Sequence, residues 1–133
     1  MNLNDLPDDI LKHIYEYADP ETTWVADQVS KINVNSNGWI IGHNSDYPRF
    51  FTKQEYLDII EAMELIPKII KQSTRYNVRY DVESYGGKHV IEKAMKKYYI
   101  SNGCFICSMI LLGYQHKKPQ SLNLNFKAKY IKN

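Results

Sequence analysis

Arginine, alanine and cysteine are scarce in this chain, and its apolar runs are short. Only three of the 17 basic residues are arginine (Arg49, Arg75 and Arg79), so the planar forks that grip guanine or a carboxylate bidentately are nearly absent. The two cysteines, Cys104 and Cys107, are too few for a disulfide framework or a four-thiolate zinc site and point to free thiols in a reducing compartment. The most apolar segment, Cys104 to Leu112, is broken only by Ser108. It has about half of the roughly twenty residues that a membrane-spanning helix needs. No membrane contact is expected, and the acidic start of the chain lacks the apolar segment of a secretion signal.

What is present is an ordinary globular composition, 44% hydrophobic and 24% charged, in a length that suits a single domain, 1–133. The net charge of +2 conceals a split. Residues 1–66 carry 12 acidic and 4 basic side chains, whereas 67–133 carry 3 acidic and 13 basic. An acidic first part and a basic second part either neutralise each other within one fold or meet a partner of opposite sign. Asn, Lys, Ile and Tyr (11, 14, 15 and 11 residues) make up 51 of 133 positions and Ala only five, a bias of AT-rich codons found in certain bacteria, protists, large DNA viruses and phages.

Asn4 to Asp19 predicts an amphipathic helix with Pro7 in its first turn, stopped at Asp19-Pro20. A second helix begins near Glu21, with Trp24, Val25, Val29 and Ile32 on its apolar side. The stretch LPDDILKHIYEYADPETTWVADQVSKI resembles an F-box through Leu6, Pro7, Ile10, Leu11, Ile14, Val29, Ser30 and Lys31. Ile32-Asn33 stands where that family has tryptophan. The resemblance implies that Leu6, Pro7, Ile10, Leu11 and Ile14 form a surface docking the adaptor subunit of a ubiquitin ligase; without it, the pair is a helical hairpin that starts the core.

Asn35-Ser36-Asn37-Gly38 predicts a hairpin turn, and the His43…Asp46 loop offers acid and base groups but no nucleophile beside them. Thr52-Lys53-Gln54-Glu55 is a capping box opening a helix with Tyr56, Ile59/Ile60, Met63 and Leu65/Ile66 inward and Glu55, Asp58, Glu61 and Glu64 outward. Pro67 should end or kink it, with up to two further turns to Gln72. Thr74 to Glu83 and Leu122 to Tyr130 both alternate with period two, and pairing them gives a small sheet. The alternative is a C-terminal segment lying extended across a neighbouring subunit.

Ser84 to Tyr114 reads as helix, turn and helix. Gly86-Gly87 precedes a helix from Lys88 to about Tyr98, with Val90, Ile91, Ala94, Met95 and Tyr98 inward and His89, Glu92, Lys93, Lys96 and Lys97 outward. Ser101 or Asn102 caps the second helix, Gly103 allows close approach and Gly113 stops it. Residues 103–112, apolar all round, must be buried on every side, with Phe105, Ile106, Met109, Ile110 and Leu112 as the core centre. The expected fold class is mainly α with a small β component. A helix with no polar face cannot read base edges, so any nucleic-acid contact falls to Lys93, Lys96, Lys97, Lys117, Lys118, Lys127, Lys129 and Lys132, acting on phosphates without sequence preference. Cys104-x-x-Cys107 lies within the apolar run and reads as two buried hydrophobes. A zinc site needs four ligands and there is no second Cys pair, so His89 and His116 would have to be brought in by the fold; neither metal nor cofactor is expected.

The segments S-Y-G-x-K-H, Y-I-S-N-G-x-F-I and L-G-Y, carried by Ser84, Tyr85, Gly86, Lys88, His89, Tyr99, Ile100, Ser101, Asn102, Gly103, Phe105, Ile106, Gly113 and Tyr114, resemble small proteins of large DNA viruses and phages. That likeness implies origin and no catalytic role. The expectation is a non-enzymatic binding or assembly protein, a structural or nucleic-acid-associated viral component. It would act in host cytoplasm, nucleus or virion, with other subunits, copies of itself, or non-specific DNA or RNA as partners.

Overall fold

The computed structural model describes residues 19–46, 51–73 and 81–131, without the side chain of His43. The first expected helix, the alternating run up to Tyr80, all three arginines and Lys132 lie outside these. In order the elements are α1 (Pro20–Ser30), β1 (Val34–Asn35), β2 (Gly38–Trp39), a 3-10 turn (Gly42–Asn44), α2 (Lys53–Ile69), β3 (Ile70–Gln72), β4 (Val82–Glu83), α3 (Ser84–Met95), α4 (Asn102–Leu111), β5 (Asn125–Phe126) and β6 (Ala128–Tyr130). Among the described residues the strands form three antiparallel two-stranded ladders, β1–β2, β3–β6 and β4–β5. The fold is mainly helical with a small β component, as the patterning predicts.

Helix α4 is the centre. Every residue from Asn102 to Met109 is buried, while Ile110, Leu111 and the following Leu112 are half-buried where the helix emerges. Its start is capped as expected, Ser101 Oγ accepting from the Cys104 N–H at 3.0 Å. Its end turns through Gly113 at φ +90°, with the Tyr114 N–H reaching back to the Met109 carbonyl. Ser108, the one hydroxyl within the apolar run, donates to the Cys104 carbonyl at 2.8 Å and leaves no polar stripe. Each flank of α4 has its own cover. Cys104 and Ser108 face α2, Phe105 meets Phe126 of β5 edge-on (centroids 6.3 Å apart), and Gly103 lies against the Asn35 carbonyl of the hairpin. The close approach at Gly103 is therefore to the hairpin rather than to the preceding helix.

Helix α2 begins at the expected capping box, with Glu55 N–H to Thr52 Oγ1 and Thr52 N–H to Glu55 Oε1 both at 3.1 Å. The second oxygen of Glu55 accepts from Ser36 (2.7 Å) and Ser101 (3.3 Å), tying the hairpin, α2 and α4 together at one carboxylate. Pro67 does not end the helix, which continues to Ile69. The backbone then becomes strand at Ile70 instead of continuing helical to Gln72, because Ile70, Lys71 and Gln72 find partners in Tyr130, Lys129 and Ala128. Asp58 is buried rather than on the acidic outer face, accepting from Gln54 Nε2 at 3.0 Å and from Lys97 Nζ at 2.8 Å.

The C-terminal alternation holds in its middle, with Leu124, Phe126 and Ala128 buried and Asn125 and Lys129 exposed, whereas Leu122 is half-buried and Tyr130, in the inward register, is exposed. Val82 pairs with Phe126 as the two alternating runs suggested, so this segment closes its own domain rather than reaching away from it. Helix α1 is capped by Asp19, whose carboxylate takes the Thr22 N–H at 2.8 Å and is held below its ordinary pKa by it. Val25, Ala26 and Val29 face the core, but Trp24, expected on the apolar side, is half-exposed.

Helix α3 departs most from its sequence reading. It starts at Ser84, so Gly86 and Gly87 lie inside it. It ends at Met95, where Lys96 takes a left-handed conformation (φ 57°). The buried positions are Ser84, Gly87, Lys88, Ile91, Glu92 and Met95. Val90, Ala94 and Tyr98, expected inside, are exposed, and Glu92, expected outside, is buried. The helix is turned so that Gly87 admits the Phe105 ring and Lys88 pairs with Glu92.

The two neighbouring glycines give opposite predictions. A methyl at Gly86 meets nothing within 4 Å, so Gly86→Ala should raise stability by about 0.5 kcal/mol. A methyl at Gly87 overlaps the buried Phe105 ring, and one at Gly103 overlaps the Asn35 carbonyl. Each of those alanines should lower stability by about 1–3 kcal/mol, read as urea midpoints at unchanged slope.

A tyrosine-rimmed groove as the candidate site

On α3, Tyr85, Lys88, His89 and Glu92 follow the spacing of one helical face. The left-handed turn at Lys96 ends that helix and brings Tyr98 and Tyr99 alongside, while Asn102 opens α4 and Asn37 and Asn123 arrive from the hairpin and the C-terminal segment. Together these residues line a groove of about 750 Å³, within the roughly 300–1,000 Å³ usual for ligand sites.

Its floor is a buried ion pair. Lys88 Nζ donates to Glu92 Oε1 and to the Ile100 carbonyl, both at 3.0 Å. His89 Nδ1 lies 3.1 Å from the same Glu92 oxygen and its ring meets Tyr85 edge-on at 4.6 Å. The Lys88 ammonium lies 4.4 Å from the centre of the Tyr99 ring and 5.6 Å from that of Tyr85, so the two aromatic faces add to what holds the charge. Burial raises the Tyr99 phenol above its ordinary pKa. At the far end, Asn102 Nδ2 has three oxygens around two hydrogens: Asn37 O (2.9 Å), Leu122 O (3.3 Å) and Asn123 Oδ1 (2.8 Å). Asn102 Oδ1 is buried and has no partner among the described residues. The rim is aromatic and open: Tyr85 is 53% exposed, Tyr99 61%, and Tyr98 fully.

The described lysines singled out from the sequence do not form one patch. Lys93 and Lys96 are exposed beside the groove, four residues on from His89 and Glu92. Lys97 is engaged with Asp58 (2.8 Å) and Glu61 (3.8 Å), and the Asp58 hydrogen bond raises its pKa. Lys129 lies in β6, Lys127 between β5 and β6, and Lys117 in the segment bonded to β5. Lys129 lies opposite Lys71, the Lys127 N–H bonds the Gln115 carbonyl and the Lys117 N–H bonds the Asn125 carbonyl. Residues opposite one another in an antiparallel pair share a face, so Lys71, absent from the sequence-based set, joins Lys129. Lys118 is exposed in the following loop.

Lys88 and Glu92 escaped notice because a charged pair in a helix reads as solvated. The signal lay in Lys88, Glu92 and Tyr85 sharing one helical stripe. The adaptor-docking positions Leu6, Pro7, Ile10, Leu11 and Ile14 fall outside the described residues. Val29, in the second half of that resemblance, points into the core.

Cys104 and Cys107 are fully buried, and desolvation pushes both thiols well above their ordinary pKa. His116 packs against Trp39 and Phe126. Among the described residues no group of three or more His, Cys, Asp or Glu side chains is placed to hold a metal, and no helix is long and apolar enough to cross a membrane.

The fold and groove define a small α+β protein with a polar, tyrosine-rimmed cleft. Comparison with protein-family models, curated proteins and solved structures finds no match to this chain.

Lys88→Met should cost about 3–5 kcal/mol by leaving Glu92 buried without its cation, and the double change Lys88→Met/Glu92→Leu should recover most of it, as urea titration would show. Neither cysteine should react with a thiol reagent in the folded protein, with both reacting on unfolding. Since the fold raises the pKa of Lys97, its bridge to Asp58 stabilises fully below the unfolded lysine's pKa and is lost as pH climbs through the folded one. Lys97→Met should therefore flatten the fall in stability on the alkaline side.

Proposed function

We propose that this protein is a non-enzymatic, nucleic-acid-associated component of a large DNA virus or phage that holds single strands along the tyrosine-rimmed groove. The observation that carries the reading is the gathering of three exposed tyrosines, Tyr85, Tyr98 and Tyr99, at the mouth of one groove, with Lys93 and Lys96 exposed on the same helix end. Single-strand binders combine aromatic platforms, on which any base can stack, with cations that follow the phosphates. Exposed aromatics gathered on one surface mark contact sites. Lys71 and Lys129, opposite one another on the β3–β6 ladder, supply a second pair of phosphate contacts. Lysines act there as point charges, so binding is independent of sequence and weakens with salt. An acidic protein surface would engage the same lysines without requiring the tyrosine platform. The Asn-, Lys-, Ile- and Tyr-rich composition supports the viral origin.

Lys96 adds a separate argument. It holds a left-handed position that glycine favours at a helix end, and strained residues retained in a fold gather at functional surfaces. Lys96→Gly should therefore raise stability by about 1 kcal/mol while weakening binding.

The deciding measurement is fluorescence anisotropy with a labelled oligothymidylate over a salt series. Affinity should fall log-linearly with salt, and Tyr98→Ala, at a fully exposed position, should weaken it about tenfold with no change in melting temperature. A flat salt response, or wild-type affinity in Tyr98→Ala, removes the reading.

A further inference from the structure

Beneath the rim, the groove offers more than a stacking platform. Lys88 Nζ spends two of its three N–H donors on Glu92 Oε1 and Ile100 O. Glu92 Oε1 receives both Lys88 and His89, while Glu92 Oε2 has no partner among the described residues. Lys88 and Glu92, whose side chains are only 5% and 8% exposed, both line the groove, and among the described residues one N–H of the first and one oxygen of the second are uncommitted. The unpartnered Asn102 Oδ1 sits at the other end. The aromatic cage formed by Tyr85 and Tyr99, which would suit a cationic ligand, is already filled by the protein's own Lys88. That leaves a ligand that is flat, uncharged and bears an acceptor next to a donor.

We infer that the groove captures one unpaired nucleobase by its Watson–Crick edge, with Lys88 donating to the base's ring or carbonyl acceptor and Glu92 Oε2 accepting from the adjacent N–H. Every base carries an acceptor beside a donor on that edge, so the site distinguishes paired from unpaired bases rather than one base from another. Duplex occupies the same edge and is excluded. The base's ring lies against the fully exposed Tyr98, the faces of Tyr85 and Tyr99 being left to Lys88, and its phosphates run toward Lys93 and Lys96. This inference rests on the single-strand reading above and adds the contact that gives it selectivity.

The test keeps the protein unaltered and changes the probe, because substitutions at Lys88 or Glu92 disturb the buried pair. Four labelled oligomers of equal length are compared at one salt concentration: oligothymidylate, oligo(N3-methylthymidylate), an abasic sugar–phosphate chain, and oligothymidylate annealed to its complement. N3-methylation removes the edge donor while keeping charge and ring, and should weaken binding about tenfold, the abasic chain and the duplex at least as much. Equal affinity for the methylated and plain strands, with the abasic chain still weak, overturns edge capture and leaves the stacking function standing. Equal affinity for all four overturns both. Tyr85→Phe, which keeps the ring, should retain the methylation penalty; its loss there would also count against the placement of the base.

Discussion

Everything in this protein follows from a helix that has no face to show to water. From Asn102 to Met109 α4 is enclosed on all sides, and its one mid-helix hydroxyl is turned back onto its own backbone. Such a helix contributes through burial, at roughly 25 cal/mol for each Å² of apolar surface removed from solvent, only if each side is covered. The rest of the chain is arranged as that cover. Helix α2 takes one side, and α3 takes another by removing a side chain at Gly87 so that Phe105 can enter. The hairpin closes on Gly103, and the C-terminal strands bring Phe126 across the remaining gap.

Covering α4 so tightly moves the polar groups to the seams. Glu55 joins the hairpin, α2 and α4 at a single carboxylate, and Lys97 bridges from the end of α3 to Asp58 and Glu61. The acidic and basic parts of the chain therefore meet inside one fold, and part of the charge split is consumed there. What remains is concentrated on the lysines beside the groove and on the small sheet. At the seam between α3 and the start of α4, the polar groups are incompletely satisfied among the described residues: Glu92 uses one oxygen for both Lys88 and His89, and Asn102 Oδ1 has no partner. Unsatisfied polarity in a site walled by protein costs stability.

Local signals carried much of the architecture. The capping box at Thr52 and Glu55, the turn at Asn35 to Gly38, the serine cap and glycine stop of α4, and the alternation of Leu124, Phe126 and Ala128 are all written within a few residues of where they act. The orientation of α3 was not legible, since Val90 and Ala94 look as fit for burial as Ile91 and Met95, and only the Phe105 ring selects the face that carries Gly87. The switch from helix to strand at Ile70 depends on partners about sixty residues away, and the burial of Asp58 on Lys97.

The chain's own order of residues determined that there would be a buried central helix, capped helices around it, a minor sheet and a lysine-rich second half, because periodicity, caps and charge are properties of neighbours in sequence. The groove was decided only by tertiary structure. Tyr85, Lys88, Glu92, Tyr99 and Asn102 form a site because α3 rotates to admit one aromatic ring, and that rotation is set by packing across the core, which no local pattern encodes.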